Sequence, residues 1–91
     1  MPNRYEKLKI KENMTTTNLS AQSDWLGSQG DAVTQASILI NEKIAAATLQ
    51  IEAQNGQIYA VDNPSVEVSQ KQEVDEIYYQ GYARASIEWS V

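Results

Sequence analysis

The stretch from Ile77 to Val91 places an apolar residue or glycine at every odd position and mostly polar side chains at the even ones. A side-chain period of two is that of a β-strand, whose successive side chains point to opposite faces of a sheet. We therefore predict a long C-terminal strand with Ile87 and Trp89 in the core. Because a strand of this length is unusual, we also expect a bend or bulge at Gly81.

A second periodicity predicts one main helix that begins near Asp31. Ser28 stands three residues before Asp31, which is the spacing of a capping box. Apolar residues then recur every three or four positions, so they share one side of a helix. These residues are Val33, Ala36, Ile40, Ile44 and Ala47, and Ile38 lies off their stripe.

The segment from 48 to 61 admits two interpretations. Its polar and apolar residues alternate up to Gln54, and Asn55-Gly56 is the dipeptide most typical of a type I′ turn. We favour a β-hairpin on these grounds. The alternative is that the helix continues through Ile51 and ends at a cap formed by Gly56.

The fold class expected from these patterns is α+β, with one main helix packed on a small, mainly antiparallel sheet that includes the long C-terminal strand. Val66 and Val68 supply a further short strand, and residues 70–76 read as a polar connection. At this length a single domain is expected, with residues 31–91 forming its compact α+β part.

Residues 1–13 form a basic segment that we interpret as an N-terminal strand or arm, because lysines alternate there with Leu8 and Ile10. The alternative is that Met14 is the true start. Residues 14–30 are rich in Thr, Ser, Asn, Gln and Gly, so we predict a long polar loop anchored by Trp25 and Leu26.

Charge and composition exclude several classes of function. The net charge is −5, and residues beyond 13 are more acidic still, so we do not expect nucleic acid as a partner. No apolar run is long enough to span a membrane, and no secretory signal is evident at the N-terminus. We therefore expect a soluble, cytoplasmic protein that has no membrane partner.

Catalysis is not expected, because the chain has neither His nor Cys. Glu73, Asp75 and Glu76 form the densest acidic group, but they lack the spacing of a calcium loop and read as a solvated turn. The sequence thus predicts no catalytic residue, no metal site and no cofactor.

The face of the sheet opposite the helix is the candidate functional surface. Period-two alternation and the expected hairpin assign five residues to it: Tyr59, Val61, Tyr78, Tyr82 and Arg84. Tyr and Arg are enriched at the centres of protein interfaces. The alternative is that the loop carrying Trp25 and Leu26 folds over these side chains and buries them.

These features favour a non-enzymatic structural or assembly protein that acts through protein–protein contacts. It would be a homo-oligomer or a subunit of a larger particle, and a small structural protein of a phage or mobile element would fit this description. The alternative function is an acidic inhibitor that occupies the cationic, nucleic-acid-binding groove of a partner protein, using Glu67, Glu73, Asp75 and Glu76.

Overall fold

The computed structural model describes residues 14–91, so the predicted N-terminal strand or arm lies outside the described residues. The chain order is β1 (Thr15–Gln22), α1 (Gln29–Ala53), β2 (Gln57–Val61), β3 (Ser65–Glu73) and β4 (Glu76–Ser90). The helix packs on an antiparallel sheet of four strands, which confirms the α+β class. No helix within residues 14–91 combines the length and the apolar character needed to cross a membrane.

The long C-terminal strand is confirmed, and β4 is the central strand of the sheet. β1 pairs with it along one edge, from Thr15 opposite Trp89 to Gln22 opposite Tyr82. β3 and β2 share the other edge in succession, β3 along residues 76–84 and β2 along residues 87–90. Each of the other strands is therefore hydrogen-bonded to β4, and the sheet exists only through it.

The odd positions of β4 face the helix, as the alternation predicts. The core is made mostly of small side chains, since its buried apolar members are Ala21, Ala32, Ala36, Ile40, Ile51, Ala83, Ala85 and Ile87. Trp89 is half-buried, and its indole Nε1 donates a hydrogen bond to the Thr17 hydroxyl at 2.9 Å. Ile38, off the predicted stripe, is 53% exposed.

The expected bulge at Gly81 is absent from the β3 ladder, whose register runs unbroken past this residue. On the other edge the β1 ladder ends at Gln22 opposite Tyr82, and the pairing then shifts by one residue between Ser23–Gly81 and Leu26–Tyr79. Gly81 instead allows the helix to approach the strand closely. A Cβ atom there would stand 2.5 Å from the Ala32 carbonyl oxygen and 2.9 Å from the Ala36 Cβ. The only register shift in the β4 ladders of the described residues lies in β2, between Ile58 and Ala60.

The predicted β-hairpin at Asn55-Gly56 is wrong, because α1 continues to Ala53. The Asn55 amide bonds to the Glu52 carbonyl at 3.0 Å and the Gly56 amide to the Ile51 carbonyl at 2.8 Å, the pattern of a Schellman cap. Asn55 takes the left-handed conformation with φ of 62°, whereas Gly56 does not. The polar and apolar residues of 48–54 alternate without forming a strand. Most side chains in the last turns of the helix are exposed, so a polar residue there does not indicate the outer face of a sheet.

The predicted polar loop over residues 14–30 is also wrong in its first half, which forms β1. Thr17, Leu19 and Ala21 lie opposite Ile87, Ala85 and Ala83 and therefore on the helix side. Threonine suits a pleated, half-buried surface, so polar composition concealed a regular strand. Beyond β1, the buried Ser23 hydroxyl accepts the Gly81 amide at 2.8 Å, which fastens the end of the strand to β4.

The predicted polar connection over residues 70–76 is strand as well, with only Val74 and Asp75 in the turn between β3 and β4. Val74 has φ of 51° and is 92% exposed. A β-branched residue is strained in this left-handed region, and nothing buries its side chain in return.

Gly81→Ala should lower the free energy of unfolding by about 1 to 3 kcal/mol, because the added methyl group would force the helix off the sheet. Gly27→Ala is the matched control, since no atom lies within 4 Å of the methyl position there. Urea denaturation of the two variants measures the difference. An unchanged midpoint for Gly81→Ala would contradict the close approach.

Gly56→Ala should also destabilise by about 1 to 3 kcal/mol, because its methyl group would stand 2.6 Å from the Ile51 Cγ2 and 2.9 Å from the Trp89 ring. Gly30→Ala, in the first turn of α1, meets only the Ser28 hydroxyl at 3.7 Å and should leave stability unchanged or raise it by up to about 1 kcal/mol. Thermal unfolding of both variants provides the comparison. Equal melting temperatures would rule out crowding at Gly56.

Candidate protein interface on the outer face of the sheet

The side of the sheet turned away from α1, called the outer face below, is formed by the even positions of β4 and the residues directly opposite them. On β4 these are Tyr78, Gln80, Tyr82, Arg84, Ser86 and Glu88; β1 adds Thr16, Asn18, Ser20 and Gln22, and β3 adds Ser65, Glu67, Ser69 and Lys71. A central strand bonded on both edges holds these side chains on a rigid scaffold.

Arg84 lies near the middle of the outer face and makes two contacts there. Its Nη2 donates to the Glu67 Oε1 at 3.1 Å, and its guanidinium carbon lies 5.4 Å from the centre of the Tyr82 ring. Both charged side chains are more than half exposed, so the ion pair adds little to stability. Its effect is to hold the guanidinium beside Tyr82.

Lys71 forms a second cation–aromatic group toward the β3–β4 turn. Its Nζ lies 4.6 Å from the centre of the Trp25 ring and 6.0 Å from that of Tyr78, and 3.2 Å from the Glu73 carboxylate. Leu26 pairs with Tyr79 in an isolated antiparallel bridge, which fixes the chain beside Trp25. Trp25 therefore contacts the end of the outer face nearest the β3–β4 turn, and the residue remains 37% exposed.

The hydroxyl of Tyr78 donates a hydrogen bond to the Glu76 carboxylate. That bond, reinforced by the negative charge of Glu76, raises the pKa of Tyr78 above its ordinary value. The neutral phenol is thus the favoured form, and its hydroxyl is held in place as a hydrogen-bond donor to Glu76.

The structure brings together three of the five predicted interface residues, Tyr78, Tyr82 and Arg84, and places Tyr59 beside Ser90, at the far end of the same face, and Val61 on the helix side. Tyr59 stands at the register shift of β2, 42% exposed, and its hydroxyl accepts from the Ser90 hydroxyl at 3.4 Å. Val61 lies opposite Ile87 and so follows the register of the helix side. The bulge separates the two, which strict alternation in β2 does not predict.

A polar hollow of about 230 Å³ opens where β2 gives way to β3. It is lined mainly by hydroxyl, amide and charged groups, which belong to Asn18, Asp62, Asn63, Ser65, Arg84 and Ser86. The Ser86 hydroxyl donates to the Asp62 carboxylate at 2.7 Å, and the Asp62 amide bonds to the Ser86 carbonyl at 2.9 Å. These bonds attach Asp62 to β4 between the end of β2 and the start of β3, where Asn63-Pro64 interrupts the strand pairing.

Sequence reasoning missed Lys71 and the polar row of β1 as members of this face, and it placed Trp25 there only in the alternative in which the loop folds over the tyrosines. The signal for Lys71 was present, because Ser65 to Glu73 carries small, polar or charged residues at every odd position. The even positions of this strand begin as apolar residues, Val66 and Val68, but continue as Gln70 and Gln72, so the alternation is lost in its second half. The signal for β1 was its period of two, hidden by threonine on the helix side.

The acidic residues do not form one cluster. Glu73 and Glu76 lie directly opposite each other beside the turn with Asp75, whereas Glu67 lies farther along β3 and is paired with Arg84. Glu73 is paired with Lys71. Among residues 14–91 no group of carboxylates has the geometry of a metal site.

Comparison with protein-family models, with curated proteins and with solved structures finds no significant match.

Glu76→Gln should lower the pKa of Tyr78 toward the ordinary tyrosine value, because the carboxylate that favours the neutral phenol is removed. Phenolate absorbance, followed as the pH is raised through the alkaline range, measures the titration of the five tyrosines. One tyrosine should titrate at lower pH in the variant than in the wild type. Glu88→Gln, on the same face, serves as the control, and identical curves for Glu76→Gln and wild type would contradict the hydrogen bond.

Proposed function

We propose that this protein is a non-enzymatic assembly protein that acts through protein–protein contacts, as a homo-oligomer or as a subunit of a larger particle in the cytoplasm. The observation that carries the proposal is the outer face, where Tyr78, Tyr82 and Arg84 stand in one row of the central strand while the helix packs on the opposite side. Aromatic side chains and Arg dominate the energetics of protein interfaces.

The composition of the outer face supports recognition of a protein surface. Tyr and Trp offer large contact area at low entropy cost, and Ser, Asn and Thr offer adaptable hydrogen bonds, a combination found in binding surfaces such as antibody loops. An antiparallel sheet often has one face in water, so exposure alone is not informative. The distinguishing feature here is that Lys71 and Arg84 are held against aromatic rings and paired with Glu73 and Glu67.

Fixed pairs of this kind suit a contact surface for two reasons. The charges are already partly neutralised, so that covering them leaves fewer unpaired ions than covering free lysines would. The side chains are also ordered before binding, which reduces the entropy lost on association. Both effects favour the row around Tyr82 and Arg84 as the centre of the interface.

The acidic-inhibitor alternative has less support from the geometry. A groove that binds nucleic acid would be matched by several free carboxylates in a row, but Glu67 and Glu73 each have a cationic partner on the same face. The remaining acids of the turn, Asp75 and Glu76, are too few to imitate a phosphate backbone.

Tyr82→Ser should weaken self-association by about 2 kcal/mol, or roughly 30-fold in the dissociation constant, while leaving the fold of the protomer intact. Sedimentation equilibrium over a range of concentrations gives the constant, and circular dichroism checks the fold. Val74→Ser is the control for general stickiness, because Val74 is the most exposed of the large apolar side chains and lies in the β3–β4 turn.

Arg84→Lys provides a second variant that keeps the charge but loses the planar fork of donors. It should weaken association less than Tyr82→Ser. If wild type stays monomeric at high concentration while Tyr82→Ser unfolds, the tyrosines serve the protomer's own stability and the proposal fails.

A further inference from the structure

The composition of β1 is that of an internal strand, although its one strand partner among residues 14–91 is β4. Its sequence, TTTNLSAQ, contains no charge and no proline, and its register against β4 is unbroken. Proteins commonly block edge strands with bulges, prolines and charged side chains. The β2–β3 edge has all three, in the register shift of β2, in Pro64 and in Glu67. β1 therefore suits a position between two strands.

The main-chain groups of β1 point away from β4 at every second residue. The Ser23 amide donates to the Gly81 carbonyl at 2.9 Å, in line with the β1 ladder. Because hydrogen-bonded pairs alternate along antiparallel strands, the odd residues of β1 bond to β4 and the even ones point outward. The Lys43 Nζ confirms this direction, since it donates to the Ser20 carbonyl at 2.6 Å from the outer side of the strand. The outward residues are Thr16, Asn18, Ser20 and Gln22.

Residues 1–13 directly precede β1 and have the sequence pattern that this edge requires. Leu8 and Ile10 alternate there with Lys7, Lys9 and Lys11. Such alternation suits a strand that covers a core on one side and meets water on the other. Lysines are also typical of an outermost strand, where they discourage further pairing. The protection that β1 lacks is thus present in the segment joined to it.

We propose that residues 4–11 pair antiparallel with the outer edge of β1 and form a fifth strand of the sheet within the same chain. β1 then lies between two strands, and the segment that carries the lysines becomes the edge of the sheet. This pairing is intramolecular and does not require self-association.

Two conditions determine the register of the pairing. The apolar residues of the segment must lie on the helix side, so its even residues stand opposite odd residues of β1. Its odd residues then face the outward groups of β1 and bond to them. Since β1 begins at Thr15, the tightest turn that satisfies both conditions is Glu12-Asn13, where Asn tolerates a left-handed conformation. The resulting pairs are Ile10 with Thr15, Lys9 with Thr16, Leu8 with Thr17, Lys7 with Asn18, Glu6 with Leu19 and Tyr5 with Ser20.

The helix side of β1 is incompletely covered where this register places Leu8 and Ile10. Thr15 is exposed there and Thr17 is half-buried, whereas Ala21, near the other end of the strand, is buried. Apolar side chains beside the two threonines remove the threonine methyl groups from water, and burial of apolar surface is favourable.

The flank of α1 provides the other wall of this space. The helix packs on β4 and on β1, and Lys43 marks its flank above the outer edge of β1. Ala46 lies on the same flank, because residues three apart are neighbours on a helix, and it is exposed. A strand about 4.8 Å beyond β1 is within reach of this flank, since a helix with its side chains is about 10 Å wide. Leu8 thus packs against both layers.

Charge complementarity favours residues 1–13 as the occupant of this edge. They carry four basic and two acidic side chains, whereas the chain as a whole has a net charge of −5. The body that receives the segment is therefore strongly acidic, so it attracts the segment and repels a second copy of itself.

The register also forms an ion pair between Lys9 and Glu88 on the outer face. Thr16 lies opposite Glu88 in β4, and Lys9 lies opposite Thr16 on the other side. The outer two strands of the three are about 10 Å apart, a distance that a lysine and a glutamate side chain span together. Shifting the segment by one residue would lose this pair and turn its lysines toward the core.

Lys43 is compatible with the fifth strand. The Ser20 carbonyl has two lone pairs, so it accepts the Tyr5 amide while it keeps its bond to the Lys43 ammonium. Glu6, the neighbour of Tyr5 on the helix side, brings a carboxylate beside that ammonium. Opposite charges on adjacent elements stabilise such a contact.

A pair of cysteines tests the register directly, because the natural chain has none. Leu8 and Thr17 form a non-hydrogen-bonded pair with Cα atoms about 4.5 Å apart, within the range of a disulfide. In a glutathione redox buffer, Leu8→Cys with Thr17→Cys should form an internal disulfide. Its effective thiol concentration should exceed that of Lys9→Cys with Thr17→Cys by about 30-fold or more.

The second variant is a matched control, since its cysteines are almost equally close in sequence but point to opposite faces of the sheet. Both variants lose the Thr17 hydroxyl that accepts from Trp89, so they share that cost in stability. Equal effective concentrations in the two folded variants would show that residues 4–11 do not hold this register, and would overturn the proposal.

Amide hydrogen exchange tests the same pairing without cysteines. The outward amide of Asn18 should exchange about 100-fold or more slowly than in an unstructured peptide. Leu8→Asn should remove this protection, whereas Lys9→Asn, on the water side of the segment, should preserve it. The Leu19 amide points to β4 and should stay protected in both variants, which verifies that the protomer is folded.

Two further outcomes would contradict the proposal. One is an unprotected Asn18 amide in the wild type while the Leu19 amide remains protected. The other is a covalent dimer in place of the internal disulfide, which would assign the segment to the edge of a second copy. Tyr82→Ser in the two-cysteine background should form the same internal disulfide, so failure of the proposed interface and failure of this pairing are distinguishable.

Discussion

The contact of α1 with β4 at Gly81 is the constraint on which the rest of the structure depends. The backbone of the helix at Ala32 approaches the strand with no side chain between them. Ala36, Ala83, Ala85 and Ala21 continue the same seam of small residues. Dispersion attraction falls steeply with separation, so a core of alanines holds only while the layers remain this close. The larger side chains, Ile40 and Ile87, fill the space where the seam ends.

This narrow core explains why the two faces of the sheet carry side chains of different size. One helix is enough to cover the side that carries small residues, because its diameter is about 10 Å and the sheet is at most three strands wide. The large aromatic residues Tyr78 and Tyr82 lie on the other side, where close packing does not restrict them. The molecule thus separates the residues that hold it together from those that we propose meet a partner.

The parts of the fold that could be predicted from sequence are those with long, uninterrupted periods. β4 alternates without exception on its helix side, and the stripe through Ala36 and Ile40 marked the helix. The tertiary structure decided the rest. Asn55-Gly56 fits a hairpin turn and a Schellman cap equally well on local grounds, and the cap is favoured because Ile51 is buried in the last turn of the helix.

The candidate interface, like the fold, could be predicted only where the sequence has a long and regular period. Tyr78, Tyr82 and Arg84 follow from the period of β4. The position of Val61 depended on a register shift in β2 that no local pattern marks. β1 was missed because threonine occupies both of its faces, so its period of two carries almost no contrast in polarity. The contribution of Trp25 required the isolated pairing of Leu26 with Tyr79, a contact between residues distant in sequence.

The central place of β4 has a consequence for synthesis. Within residues 14–91, β1, β2 and β3 each pair with β4 and not with one another, so none of them has a described strand partner until residues 76–90 have left the ribosome. Until then α1 is the one element of residues 14–91 that can form, and its exposed seam of alanines offers little surface for premature association. Folding must therefore wait for the last strand, and a ribosome that stalls before β4 releases a chain without a sheet, open to proteolysis.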